Sequence, residues 1–194
     1  MKPFLEKFDR YTPSTKDEET VLSHITDYSV AADVEQRMIR VKAHFDTYVH
    51  FSRLEPVETH IAEAYSLNYM SITPSFTDEP FSVAHMDHVL YELCRLTAAG
   101  RGFFDGAETA LEGADVRTEG DTLVISLKHG GKNLLVAGGC DKLISDVIRE
   151  LFGACVKVEF DGVTVVTERE YDYAPLAYVP PEEPESETPD ANPL

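Results

Sequence analysis

The sequence predicts an α+β protein made of two small modules and a disordered tail. In some segments apolar residues alternate with polar ones, as in strands, and in others they recur every three or four residues, as in helices. Breakers and polar residues cluster between residues 73 and 80, which places a module boundary after residue 78. With 43% hydrophobic residues, each module can bury a core of its own.

The first module, residues 1–78, is predicted to contain a β-hairpin followed by a helix and a third strand. The hairpin turns at Val34–Arg37, between two segments in which apolar residues alternate. The helix is predicted to begin at Pro56, because proline suits a first turn, and to end at Tyr65. Two short helical patterns precede these elements. The predicted ranges are helices over 2–8 and 17–24, strands within 27–45, the helix over 56–65 and a strand over 69–76.

The second module, residues 79–165, is predicted to be an antiparallel-rich sheet with helices on one face. Ser82 caps a helix whose apolar stripe runs to Cys94, and a strong helical stripe runs from Leu143 to Phe152. The remaining predicted elements are a helix over 103–111, strands over 114–118 and 121–128, a short helix over 133–137 and a strand over 156–160.

The order of these elements, with two helices inserted between strands, resembles the KH-like fold of type II. KH domains that bind nucleic acid clamp its backbone with a GxxG loop between the paired helices. At that place this chain has Gly138-Gly139-Cys140-Asp141-Lys142, which lacks the motif and puts a carboxylate where phosphate would lie. The resemblance therefore implies a KH-like scaffold with another role.

Charge and composition restrict the partners and the compartment. The formal net charge is −18, and acidic residues outnumber basic ones throughout, by 13 to 8 in residues 1–78, 14 to 8 in 79–164 and 8 to 1 in 165–194. Residues 166–194 form an acidic Pro/Glu-rich segment, which predicts a disordered linker or tail. The sequence contains no long apolar run and no signal peptide, so we predict a cytoplasmic protein without a membrane partner.

No complete catalytic or metal-binding motif is found, and we predict no catalytic residues, no metal and no cofactor. His44, Asp46 and His50 at a strand end, and His85 and His88 at a helix start, offer metal ligands. The interpretation as solvated polar residues is favoured for both groups, because neither spacing supplies a full ligand set. Cys94, Cys140 and Cys155 form no CxxC pair and are expected to be reduced core residues.

One loop has the features of an anion contact. The strand that ends at Lys128 continues through Gly130 and Gly131 into a helix start at Lys132, which would present backbone N–H groups and two lysines. A plain turn with a helix cap is the favoured interpretation, and the loop is not a P-loop. With two lysines farther along, the candidate contacts for an anion or a nucleic acid are Lys128, Gly130, Gly131, Lys132, Lys142 and Lys157.

The chain resembles the N-terminal region of the PolC-type DNA polymerase III alpha subunit. The resemblance rests on Met38–Phe45, Ile61–Tyr65, Val89–Leu93, Gly120–Ile125 and Leu151–Phe160, and covers about residues 1–165. The second module also resembles the C-terminal part of the clamp-loader tau subunit. The resemblance implies that the whole protein is a DNA-directed DNA polymerase with a proofreading exonuclease, whose catalytic residues belong to domains outside this chain.

Two functions follow as expectations. The first is a non-catalytic module that contacts replisome proteins, such as the clamp loader or other polymerase-associated factors. The alternative is weak binding of single-stranded DNA by the KH-like module through its lysines, which would depend steeply on salt. A small enzyme that uses the scattered histidines is a third hypothesis.

Overall fold

The computed structural model describes residues 4–98 and 107–162, and it confirms the α+β class. Seven α-helices, one 3-10 turn and six strands are present in this part of the chain. They are α1 (Phe4–Lys7), α2 (Lys16–Ser23), β1 (Ile25–Asp33), β2 (Met38–Phe45), α3 (Phe51–Tyr65), β3 (Tyr69–Ser75), a 3-10 turn (Val83–His85), α4 (Met86–Ala98), α5 (Ala107–Leu111), β4 (Asp115–Glu119), β5 (Thr122–Ser126), α6 (Lys132–Ala137), α7 (Cys140–Phe152) and β6 (Lys157–Asp161).

The first sheet has the strand order β1-β2-β3. The hairpin β1-β2 is antiparallel, and β3 pairs parallel to β2 after the chain crosses over through α3. Alternation along β2 buries Val41, Ala43 and Phe45, as the period of two predicts. In the hairpin turn, Asp33 Oδ1 accepts a hydrogen bond from the backbone N–H of Gln36 at 2.9 Å. This contact fixes the predicted turn.

Helix α3 begins at Phe51, so the predicted start at Pro56 is wrong. Proline lies in the second turn, where its missing N–H removes one bond to the carbonyl of Ser52. His50 provides a substitute start signal, because its Nδ1 accepts from the Ser52 N–H at 3.3 Å. The helix ends at Ser66, whose φ of 52° is left-handed.

The second sheet, with the order β4-β5-β6, repeats the pairing of the first. The hairpin β4-β5 is antiparallel and β6 lies parallel to β5, so the sheet is mixed. Gly120, with φ of 61°, makes the tight hairpin turn. The crossover consists of α6 and α7, and the apolar stripe of α7 is buried as its spacing predicts. The predicted element order of the second module is confirmed.

The predicted boundary after residue 78 falls between the two sheets, and it stays a prediction. All described residues belong to one compact unit, and the buried residues of both sheets join one core. Phe76 lies at the junction, 5.7 Å from Phe45 and 5.6 Å from Phe152 between ring centroids. Its backbone N–H donates to the carbonyl of Leu151 at 2.5 Å. The end of β3 is thereby tied to the end of α7.

Helix α2 packs on α3, where Oε1 of the buried Glu18 lies 3.2 Å from Nδ1 of His60. Glu18 accepts hydrogen bonds from the Tyr11 hydroxyl and the Ser14 hydroxyl, each at 2.7 Å. Burial raises the pKa of Glu18, but the hydrogen bonds from Ser14 and Tyr11 outweigh it and lower the pKa to about 2. The carboxylate therefore remains charged while it holds the loop before α2.

Two predictions concern residues outside the described part. The tail over 166–194 and the first residues of the predicted 103–111 helix lie there, and the helix is observed from Ala107. Within residues 4–98 and 107–162, every helix is too short or too polar to cross a membrane.

Candidate interaction surface

Two of the predicted anion contacts are neutralised by neighbouring carboxylates. Lys128 Nζ lies 3.3 Å from Asp115 Oδ1, and Lys157 Nζ lies 2.5 Å from Glu159 Oε1. All four side chains are at least half exposed, so each pair contributes little to stability. Each lysine is nevertheless matched by an acid on its own sheet, which weakens its attraction for phosphate.

The glycine loop between β5 and α6 is explained by its backbone. Gly130 and Gly131 have φ values of 77° and 93°, which other residues rarely adopt. A Cβ on Gly131 would lie 3.2 Å from the Cβ of Ala110, so this glycine also allows close packing against α5. The helix that follows has only six residues. The loop therefore forms a tight turn before α6, and its role as an anion contact stays a prediction.

The remaining candidates are Lys132 and Lys142, at the starts of α6 and α7. Both are exposed, and neither forms an ion pair with another described residue. A hydrogen bond from Lys157 lowers the pKa of Glu159, and the positive charges of Lys157 and Lys132 lower it further. The structure thus brings Lys132 and Lys157 together around one carboxylate. It gives no contact that joins Lys128 or Lys142 to them.

Helix α6 exposes two apolar side chains, Leu134 and Val136, which we call the α6 patch. Leu134 is 66% exposed and Val136 is 51% exposed, whereas Leu135 between them is buried. Consecutive helical residues point about 100° apart, so Leu134 and Val136 lie on either side of the buried Leu135, about 160° apart around the helix. This short helix therefore presents two separate apolar side chains, and the exposed Lys132 lies one turn before Val136.

The turn between α6 and α7 is the place that a GxxG loop occupies in KH domains. Gly139 has φ of 69°, and a Cβ built on it would meet nothing within 4 Å. The preceding residue, Gly138, ends α6, and the half-buried Asp141 lies in the first turn of α7. An acid in the first turn is favourable for the helix but repels phosphate. The geometry agrees with a KH-like order that lacks the phosphate clamp.

His88 is fully buried, so its interpretation as a solvated residue is wrong. Its ring lies 5.8 Å from those of Tyr48 and Phe51 and 5.6 Å from that of Phe76. Neither ring nitrogen, nor the buried Tyr48 hydroxyl, hydrogen-bonds to a described residue. Burial, together with the charges of His50, Arg95 and His85, lowers the pKa of His88 to about 4. The imidazole is neutral at pH 7.

His85 is also buried, and its solvated interpretation is wrong too. Its Nδ1 accepts from the Ser82 N–H at 3.2 Å, and its ring stacks on Phe152 at 4.8 Å. The contact with Phe152 places the His85 ring against α7. The sequence did not predict this burial, because both histidines lie between the apolar positions of the predicted stripe and not on it.

The strand-end group His44, Asp46 and His50 is divided among different partners. His44 Nε2 lies 3.4 Å from Asp78, Asp46 lies 2.8 Å from His24, and His50 caps α3. Across the part of the chain that the structure describes, no three His, Cys, Asp or Glu side chains are grouped so that they could hold a metal ion.

A charge cluster that no sequence pattern predicted covers the free edge of β3. Arg95 contacts Glu92 at 2.9 Å and Glu58 at 3.4 Å. Glu58 Oε1 accepts the Ile72 N–H at 2.6 Å, and Arg95 Nη1 donates to the Ile72 carbonyl at 3.3 Å. Side chains thereby replace a neighbouring strand at this edge. Burial raises the pKa of Glu58 to about 7, against the opposing effects of Arg95 and the Ile72 N–H.

The cysteines differ from the expectation of three core residues. All are thiols, but only Cys140 is buried, and Cys94 and Cys155 are exposed. Burial and the charge of Asp141 raise the pKa of the Cys140 thiol, which keeps it protonated and unreactive.

Comparison with protein-family models finds no match for this chain, and comparison with curated proteins finds no match either.

Proposed function

We propose that this chain is a non-catalytic, cytoplasmic N-terminal region of a PolC-type replicative DNA polymerase, and that it acts in DNA replication as a protein-interaction module. The observation that carries the interaction role is the α6 patch, in which Leu134 and Val136 are exposed on a helix of six residues. The sequence resemblance described above supplies the replicative context. The expected partners are the clamp loader or other polymerase-associated factors.

The physical argument for an interaction role is the cost of exposed apolar surface. A protein that keeps two aliphatic side chains in water loses the free energy that their burial would supply. A partner that covers them recovers it, at about 25 cal/mol for each Å² of apolar surface buried. The neighbouring Lys132 favours a partner with carboxylates at the rim of the contact.

Binding of the purified chain to a purified clamp-loader tau subunit tests this proposal. We expect biolayer interferometry to detect a complex, and we expect the double variant Leu134→Ser, Val136→Ser to weaken it on the order of tenfold. Val34→Ser is the matched control, because Val34 is 87% exposed in the hairpin turn of the first sheet. An equal loss in both variants, or no complex with any clamp-loader component, contradicts the proposal.

Weak binding of single-stranded DNA is the second candidate function, favoured by Lys132 and Lys142, which are exposed and form no ion pair with another described residue. The contacts would be Lys128, Lys132, Lys142 and Lys157, and Asp115 and Glu159 already neutralise two of them. Fluorescence anisotropy with labelled single-stranded DNA at low salt measures this activity. Lys132→Gln with Lys142→Gln should weaken binding more than Lys128→Gln does. No binding at high micromolar protein removes this function.

A further inference from the structure

A groove between α3, α4 and the end of α5 is a second candidate surface. Its volume is about 590 Å³. The groove lies on a different part of the chain from the α6 patch. It is lined by Phe51, Asp87, Leu90, Tyr91, Cys94, Thr109, Leu111, Glu112 and Gly113.

The wall of the groove is aromatic and rigid. The rings of Phe51 and Tyr91 stack at 4.2 Å with an interplanar angle of 12°, which joins α3 to α4. Both rings are half-buried, as is Leu90, so each keeps surface that a ligand can cover. Preformed aromatic surface binds at a low entropy cost, because little is ordered on binding.

The groove also has two unneutralised carboxylates, Asp87 and Glu112. Both are exposed, and neither pairs with a cation among the described residues. This differs from the second sheet, where Asp115 and Glu159 each have a lysine partner. Burial raises the pKa of Tyr48, and the negative charge of Asp87 raises it further. The groove therefore combines apolar surface with uncompensated negative charge.

We infer that this groove binds a protein segment that presents an apolar side chain next to a lysine or arginine. The apolar side chain lies against Phe51, Leu90 and Tyr91, and the cation pairs with Asp87 or Glu112. This deepens the interaction role proposed above, but it concerns a different surface, so the two proposals can fail separately.

The charge of the groove excludes other occupants. Nucleic acids and other anions are repelled by Asp87 and Glu112, which no described cation offsets. The exposed Cys94 and Thr109 also line the groove. A basic, apolar segment satisfies the apolar wall and the carboxylates together.

The test uses the full chain and three short fluorescein-labelled peptides of one length. The first carries Leu-Phe flanked by lysines, the second carries the same apolar pair flanked by glutamates, and the third keeps the lysines but replaces the apolar pair with serines. We expect only the first peptide to bind, with an affinity that falls as salt is added. Asp87→Asn with Glu112→Gln should weaken its binding about fivefold or more. Leu134→Ser is the control and should leave it unchanged.

A thiol measurement gives an independent readout of occupancy. In a Cys155→Ser background, Cys94 is the exposed cysteine among the described residues, since Cys140 is buried. The first peptide should slow the reaction of Cys94 with a thiol reagent, and the other two should not.

Three outcomes overturn the inference. One is equal binding of all three peptides, and another is binding that the Asp87→Asn, Glu112→Gln variant leaves unchanged. The third is a rate of Cys94 modification that the first peptide leaves unchanged. Loss of clamp-loader binding alone leaves these results unaffected, so failure of the proposed function is distinguishable.

Discussion

The two sheets share one topology but differ in the helices that connect the central strand to the third strand. In both, an antiparallel hairpin is followed by a third strand that pairs parallel to the central strand, on the edge opposite the first strand. The first sheet has strands of 9, 8 and 7 residues and crosses over through one helix of 15 residues. The second has three strands of 5 residues and crosses over through two helices broken by glycines.

Because of this difference, the first sheet has a charge cluster at its edge, whereas the second has exposed apolar side chains in its crossover. The continuous helix α3 places Glu58 against β3, where Arg95 from α4 completes a buried charge cluster. The broken crossover of the second sheet leaves Leu134 and Val136 in water. The first sheet is thus specified by ionic contacts at its edge, and the second exposes the surface on which we place a partner.

Arg95→Leu should have the largest effect, because it leaves Glu58 and Glu92 buried without a counter-ion. Breaking a buried ion pair from one side costs about 3–5 kcal/mol. Urea unfolding at pH 7 measures the loss in the free energy of unfolding. Arg149→Gln is the control, since Arg149 pairs with Asp146 on an exposed helix face. Equal stability of the two variants would show that the cluster at β3 does not hold the edge.

Phe76→Ala should destabilise both sheets together by about 3–5 kcal/mol. The ring is fully buried and lies against Phe45 on one side and Phe152 on the other. Hydrogen exchange should show reduced protection in β2 and in β5 alike. A loss of protection confined to β2 would indicate two independently folding modules, with the boundary near residue 78.

His88→Leu should remove a loss of stability that the wild type undergoes in acid. The pKa of His88 is about 4 in the folded chain and about 6.5 when unfolded, so the unfolded chain binds more protons between these values. The stability of the wild type relative to the variant should therefore be constant above pH 7 and fall by about 3 kcal/mol as the pH drops to 4. Thermal or urea unfolding across this range gives the difference, which cancels the contributions of Glu18 and Glu58. A difference that does not vary with pH would contradict a buried, neutral imidazole.

The smallest effect is expected in α6, where neighbouring residues should behave in opposite ways. Leu134→Ala should change the free energy of unfolding by no more than about 0.5 kcal/mol, because the side chain is exposed. Leu135→Ala should cost about 2–5 kcal/mol, because that side chain is buried. Similar costs at both positions would mean that the α6 patch is part of the core and unavailable to a partner.

Most of the secondary structure could be predicted because it depends on local spacing. The alternation at Val41, Ala43 and Phe45 and the helical stripe of α7 each identify their element without any distant contact. The residues at which helices begin were harder to predict from the sequence. Pro56 indicated a first turn, while the true start depends on His50, a residue that is not a common helix cap.

The sequence by itself determined the order of helices and strands and the excess of acidic charge. Only the tertiary structure decided which polar residues are buried. His88 and Arg95 have the sequence environment of surface residues, but His88 is fully buried and the Arg95 side chain is only 16% exposed. Both are enclosed because α4 packs against α7 and contacts α3 through Glu58. The same packing makes the groove beside Tyr91 and brings Glu58 to Arg95 across 37 positions of the chain. Side-chain periodicity reports which face of an element is apolar, but burial of a polar group depends on what the neighbouring elements bring against it.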